Sequence, residues 1–265
     1  GISLNADASF TNRNNNWFNG NVDLSNINYK TESDSFKLGN VSINSLSSDT
    51  LHSASIVSDF VLLEYEGAGS VPTFIKKVRD LAATSKLYNY MNYDSTTVYE
   101  KGLYNLSLET YDSYDLTNVL VPGLFIMDST KVDLTIDQDD KLNAVVQSGR
   151  LALGANYLKG VGFSLNTTPT TPSVLNLTSD RIRFAGMVSG NNDLLVTADT
   201  NRIAVGLSFR NDSTDSDNAI LLGHIDLKEN KEVDINILEG SGITLKGEKW
   251  ELTPATVNFA DSTVF

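Results

Sequence analysis

The sequence predicts a mainly β protein with antiparallel strands and one long helix, and three observations support this. First, apolar and polar residues alternate through most of the chain, as at Val132, Leu134 and Ile136. Second, polar turn clusters recur at a spacing of about 8 to 12 residues, which is typical of antiparallel hairpins. Third, apolar residues follow helical spacing over only one long segment, near residues 71–91.

This helix follows a strand-like segment, residues 51–67, that is rich in β-branched and aromatic residues and ends at Gly67. Ser70 can cap the helix, and Pro72 falls in the first turn, where the absence of a backbone N–H costs nothing. We expect one face of the helix to pack on the apolar face of the sheet. The residues of that face are Phe74, Ile75, Val78 and Leu81.

The other elements fit one elongated β domain over residues 1–265. The asparagine-rich turn at residues 11–16 predicts a hairpin at the start of the chain, and a second, short helix is expected near residues 114–121, where Pro122 and Gly123 would stop it. Because the chain starts with Gly1 inside a strand-like pattern, we expect it to be a fragment of a longer protein.

Each predicted strand has one apolar face, and these faces have to be covered. If about ten Leu, Ile and Phe side chains stayed exposed to water, the lost free energy of burial would be roughly 15 to 30 kcal/mol. This is more than the usual stability of a domain, about 5 to 15 kcal/mol. The helix, a bound acyl chain, curling of the sheet or a second sheet could cover them. The residues expected to line a hydrophobic groove are Phe60, Leu62, Val132, Leu134, Ile136, Leu151, Leu153, Ile182, Phe184, Ile203, Val205 and Leu207.

The bulk composition excludes several classes of protein. A net charge of −13 would repel nucleic acid, so no nucleic-acid partner is expected. The absence of cysteine removes disulfides and thiolate metal sites. No apolar run reaches the ~18 to 20 residues of a membrane-spanning helix. The basic residues Lys76, Lys77, Arg79 and Lys86 are interpreted as a solvated face of the long helix, with phosphate binding as the alternative.

No residue pattern predicts catalysis, a metal or a cofactor. The two histidines are His52 and His224, and His224 shares a strand face with Asp226, which favours a solvated strand histidine over a general base. The acidic segments 137–140 and 212–217 do not follow the spacing of a calcium-binding loop, since Lys141 falls at a ligand position, and they are interpreted as hairpin turns. We therefore expect no enzyme activity, with an enzyme as the last-ranked class.

Three ordered segments resemble the TamB/AsmA-like family of translocation and assembly proteins of Gram-negative bacteria, in its Bacteroidetes-type form. Residues 58–67 form a serine- and acid-flanked strand that leads directly into the long helix. Residues 116–124 resemble the short apolar helix that ends in Pro-Gly-Leu, and residues 250–255 resemble a Trp-x-Leu-x-Pro strand and turn. The inner-membrane anchor helix and the C-terminal region of the family have no counterpart in these segments.

The resemblance implies a periplasmic half-pipe, an open taco-like groove with an apolar concave face. It also implies a non-enzymatic conduit that carries lipid acyl chains or unfolded outer-membrane polypeptide between the two membranes. The parent protein would then be anchored in the inner membrane and contact an outer-membrane assembly protein. The alternative interpretation is a secreted or cell-surface β-sandwich that binds glycan or protein through its loops.

Overall fold

The computed structural model describes residues 2–14, 17–31, 34–48, 50–84, 101–168, 172–199, 201–211, 217–228 and 232–259. Strands make up 69% of these described residues. The strands are β1 (Ile2–Asn14), β2 (Trp17–Lys30), β3 (Ser35–Ser47), β4 (His52–Ser58), β5 (Val61–Gly67), β6 (Tyr104–Thr110), β7 (Leu124–Ile126), β8 (Lys131–Ile136), β9 (Leu142–Leu153), β10 (Asn156–Thr167), β11 (Ser173–Phe184), β12 (Met187–Ala198), β13 (Arg202–Arg210), β14 (Asn218–Leu227), β15 (Val233–Ile237), β16 (Gly242–Leu245), β17 (Glu248–Glu251) and β18 (Ala255–Phe259). The helices are α1 (Val71–Thr84) and α2 (Tyr114–Leu120).

All of these strands belong to one 18-stranded antiparallel sheet. From β1 to β6, and from β8 to β14, each strand pairs with the next along the chain, and β8 joins the two series by pairing with β6. The short strand β7 continues the line of β8 along β9. At the far end, β14 pairs with both β15 and β16, which pair in turn with β18 and β17. The predicted fold class, a curved and open antiparallel sheet, is confirmed.

The start of α1 agrees with the sequence prediction. The backbone N–H of Phe74 donates to the Ser70 carbonyl at 2.8 Å, and the N–H of Thr73 donates to the Ser70 hydroxyl at 3.3 Å, so Ser70 caps the helix. The described helix runs to Thr84, and the rest of the predicted helix, residues 85–91, lies outside the described residues. No helix of the described part is long and apolar enough to cross a membrane.

Helix α2 occupies the predicted position and fills a gap in the sheet. Strand β4 pairs with β3 only from Val41 onward, so the first residues of β3 extend past β4, and α2 contacts both β3 and β7. The Asp115 carboxylate accepts the backbone N–H of Lys37 at 3.3 Å on the β3 side. On the β7 side, the rings of Tyr114 and Phe125 lie 6.5 Å apart. Two strands that do not pair with each other are thereby linked at this end of the sheet.

Candidate functional site

An uninterrupted row of apolar side chains crosses the sheet from β2 to β14, and we call it the central ladder. Each member is the direct cross-strand partner of the next, so all of them share one face. At about 4.8 Å per strand spacing, the row is about 50 Å long. Its members are Val22, Ile43, Ile56, Leu63, Leu108, Val132, Val146, Phe163, Leu177, Leu194, Leu207 and Leu221.

A second row runs beside the central ladder on the same face, two residues along each strand. Its members are Ala54, Tyr65, Leu106, Leu134, Ala144, Leu165, Leu175, Val196, Val205, Gly223 and Ile237. Most side chains of the two rows are half-buried and not fully enclosed. Together, the two rows form a continuous apolar trough, and this is the candidate functional site.

The opposite face carries a continuous polar row from β3 to β8. Asn44, Ser55, Glu64, Ser107 and Asp133 follow one another as cross-strand partners there. They line a shallow depression of about 530 Å³. Over these strands, the sheet therefore has the apolar trough on one face and a polar row on the other, as expected for strands with alternating side chains.

Helix α1 packs over one end of strands β5, β6, β8 and β9, along one long side of the trough. Phe74 is 1% exposed and packs on Tyr65, Tyr104, Ile136 and Leu142, all of which are buried. The Phe74 ring lies 5.4 Å from the Tyr65 ring and 6.0 Å from the Tyr104 ring. Burial raises the pKa of Tyr65 well above its ordinary value, with a smaller effect of Tyr104, and the Tyr65 hydroxyl donates to the Gly69 carbonyl.

Lys77 is the clearest departure from the sequence interpretation. It was expected on the solvated basic face of the helix, yet its side chain is 2% exposed. Its Nζ lies 2.7 Å from Oδ1 of Asp140 and 4.7 Å from the centre of the Tyr104 ring. Asp140 belongs to the β8–β9 turn, where Asp137 accepts the backbone N–H groups of Asp139 and Lys141 at 2.9 Å each. The expected turn at residues 137–140 is therefore present, and it anchors α1 through an ion pair.

Asp140→Asn should lower the free energy of unfolding by roughly 1 to 3 kcal/mol, because the buried ammonium of Lys77 loses its counter-charge. The lower part of this range is favoured, since the Asp140 side chain is 31% exposed. Asp140 has a φ of 59°, a conformation that asparagine tolerates as well as aspartate, so the turn itself should not change. Urea denaturation measures the effect. Asp139→Asn, in the same turn and exposed, is the control and should change stability by less than about 0.5 kcal/mol.

The structure brings together only part of the predicted groove set. Val132 and Leu207 lie in the central ladder, and Leu134 and Val205 lie in the second row. Ile136 and Ile203 continue this face at the α1 end of their strands, where Ile136 pairs with Tyr104 and Ile203 pairs with Ala198. On α1, Phe74, Val78 and Leu81 contact the core cluster, whereas Ile75 is 59% exposed and does not.

Two of the residues that were predicted to line the groove, both near the β4–β5 turn, do not lie in the trough. Leu62 pairs with Val57, on the face opposite to Leu63, so the expectation for Leu62 is corrected. The reason is the tight turn at residues 58–61, which breaks the parity that the sequence suggested from Ile56 onward. Phe60 lies in this turn and is buried there, and its carbonyl accepts the N–H of Tyr111.

The remaining four predicted residues lie beyond a bent row of the sheet. Gly160 and Asn191 have φ values of 61° and 45° in the middle of their strands, and the Ser179 hydroxyl satisfies the Lys159 and Arg181 carbonyls at 2.7 and 3.0 Å. Beyond this row, Leu151 and Ile182 both pair with Leu158. Leu153 and Phe184 are 53% and 64% exposed. The structure therefore places Leu151, Leu153, Ile182 and Phe184 outside the two rows of the trough.

The histidine and carboxylate pair considered from sequence, His224 and Asp226, lies on the face opposite to the trough. His224 Nε2 is 3.1 Å from Oδ2 of Asp226, and Arg202 Nε is 2.6 Å from Oδ1. The hydrogen bond from Arg202 is the main cause that lowers the pKa of Asp226. Within the described residues, no group of three or more His, Cys, Asp or Glu side chains could hold a metal ion. Most of the acidic segment 212–217 lies outside the described residues.

Comparison with known proteins identifies no relative. No protein-family model, no curated protein and no solved structure matches this chain. Function therefore has to be inferred from the geometry of the trough.

Proposed function

We propose that this chain is a non-enzymatic conduit segment whose apolar trough carries the acyl chains of lipids. The observation that carries the proposal is the central ladder, in which every strand from β2 to β14, except the short β7, contributes one apolar side chain. A core that only had to be stable could be closed by packing against a second layer. A half-buried row about 50 Å long instead suits a ligand that slides along it.

An acyl chain fits this trough better than an unfolded polypeptide does. The trough offers aliphatic side chains, whereas a polypeptide brings N–H and C=O groups that would need hydrogen-bond partners after leaving water. The sheet face cannot supply those partners, because the backbone groups of paired strands already bond to each other. Outer-membrane polypeptide is therefore the second candidate cargo.

The cellular setting belongs to the same proposal. With its resemblance to translocation and assembly proteins, the chain would work in the periplasm, as part of a parent protein anchored in the inner membrane and contacting an outer-membrane assembly protein. A trough that is open along its length would let lipid pass between neighbouring segments of such a parent. The single open sheet supports this reading over a β-sandwich that binds glycan or protein through loops.

Photo-crosslinking tests the proposal at one position of the central ladder. Phe163→p-benzoylphenylalanine introduces a photoreactive benzophenone at a ring position that already faces the trough. After incubation with vesicles of phosphatidylethanolamine and phosphatidylglycerol, irradiation should add the mass of one phospholipid to the intact protein. Native mass spectrometry of the unmodified chain should also show co-purified lipid.

Ser164→p-benzoylphenylalanine is the matched control. Ser164 is the next residue on β10 and pairs with Val145 and Asn176 on the opposite face. It should give little or no phospholipid adduct under the same irradiation. Equal labelling at Phe163 and Ser164, or labelling at neither, would contradict a conduit along the trough.

A further inference from the structure

Four basic side chains form a cluster on β9, β10 and β11, at the end of these strands away from α1. Arg150 pairs directly with Lys159, and Lys159 pairs directly with Arg181, so the three charges stand in one row on one face. Arg183 shares this face, since it pairs with Tyr157, which pairs in turn with Ala152. Neighbours in such rows have Cβ atoms only about 4.5 to 5.5 Å apart.

The cluster has no carboxylate partner within the described part of the chain. Arg150, Lys159, Arg181 and Arg183 are all exposed, and none of them forms an ion pair with a described residue. Asp180 lies next to Arg181 in sequence, but its carboxylate rests against Gly160. Like charges placed opposite each other destabilise a sheet, and in a protein of net charge −13 acidic residues are abundant. An unneutralised cationic row is therefore unexpected unless an anion completes it.

Arg150 is held in place by two aromatic rings. Its guanidinium lies 5.0 Å from the centre of the Tyr157 ring and 5.7 Å from that of Phe125. Such contacts restrict the side chain before any ligand arrives, which lowers the entropy cost of binding. Guanidinium groups also bind phosphate through paired N–H donors, so an arrangement with several arginines favours phosphate-type anions.

The position of the cluster relates it to the trough. The strands that carry it, β9, β10 and β11, also contribute Val146, Phe163 and Leu177 to the central ladder. One intervening row, which contains Ser148, Val161 and Ser179, is buried. The same strands thus present apolar side chains in their middle and unpaired cations toward one end, which matches a molecule with an acyl chain and an anionic head.

From this arrangement we infer that Arg150, Lys159, Arg181 and Arg183 bind the phosphate head group of an anionic amphiphile whose chain lies in the trough. The inference rests on the proposed function for the position of the chain. It adds that the cargo is a phosphate-bearing lipid, and that the lipid enters or rests with its head at this end of β9–β11. Neutral lipids would bind only through the trough.

Calorimetric titration with three probes tests this inference on the full chain. The probes are dodecyl phosphate and dodecyl maltoside, both below their micelle concentrations, and inorganic phosphate. Dodecyl phosphate should bind more tightly than dodecyl maltoside. The double substitution Arg181→Gln with Arg183→Gln should lower the affinity for dodecyl phosphate by about tenfold or more, as expected for the loss of charge-assisted hydrogen bonds. It should leave the affinity for dodecyl maltoside unchanged. Both arginines are exposed, so the variant should fold like the parent.

The control is Lys101→Gln with Lys249→Gln, which removes the same charge from exposed positions outside the cluster. It should not change the affinity for dodecyl phosphate. Equal affinity for the two amphiphiles in the parent chain, or equal losses in both variants, would overturn the inference and leave the trough proposal standing. Inorganic phosphate binding as tightly as dodecyl phosphate would also overturn it, since the cluster would then take a free anion. Absence of dodecyl maltoside binding would count separately against the trough.

Discussion

Phe74→Ala is expected to lower the free energy of unfolding by about 3 to 5 kcal/mol, the usual range for removing a fully buried phenylalanine. The Phe74 side chain is 1% exposed and fills the space between Tyr65, Tyr104, Ile136 and Leu142. These four residues come from β5, β6, β8 and β9, so the cavity would open where α1 and four strands meet. Because Phe74 is the one fully buried apolar side chain among the described residues of α1, we expect the helix to detach from the sheet before the strands separate.

Urea denaturation followed by circular dichroism measures this effect. Ile75→Ala is the matched control, because Ile75 is the next residue on the helix and is 59% exposed. It should change stability by less than about 0.5 kcal/mol. Similar effects of the two substitutions would mean that α1 does not pack on the sheet through Phe74.

Much of the fold could be predicted from the sequence, because local periodicity carries the information for a meandering antiparallel sheet. At Val132, Leu134 and Ile136, the alternation places the right side chains on the trough face, and the registers of β8 with β6 and β9 agree with it. The cap at Ser70 and the position of α2 were equally local features. Once the strands are located, pairing each one with its neighbour in sequence gives most of the observed topology.

The errors arise where the structure depends on contacts that periodicity does not encode. Leu62 was assigned to the trough because the pattern was read through the β4–β5 turn, which shifts the parity by one residue. Lys77 was expected to be exposed, but it is buried because Asp140, in a turn distant in sequence, forms an ion pair with it. Helical periodicity does not encode such a contact. The basic cluster was missed because Arg150, Lys159 and Arg181 become neighbours only through the register of three strands.

Leu194→Asp should reduce the binding of dodecyl maltoside by at least about tenfold, because it places a carboxylate in the middle of the apolar trough. Leu194 lies in the central ladder between Leu177 and Leu207 and is half-buried. A charge there has no described cationic neighbour in its row and would have to stay hydrated, so water would interrupt the apolar path. Since the trough face is not fully enclosed, the side chain can reach solvent, and we expect circular dichroism to show a folded protein.

Leu195→Asp provides the matched control, with the same change of residue one position further along β12. Leu195 pairs with Asn176 and Gly206 on the opposite face and is 45% exposed, so the carboxylate should be solvated and the binding of dodecyl maltoside unchanged. Calorimetry on the two variants separates the possible architectures of this face. If Leu194→Asp unfolds the chain while Leu195→Asp does not, the trough is a closed and tightly packed interior with no room for a ligand. If both variants fold and bind the probe as the parent does, the ligand does not occupy the trough at β12, and a continuous conduit along the central ladder is wrong.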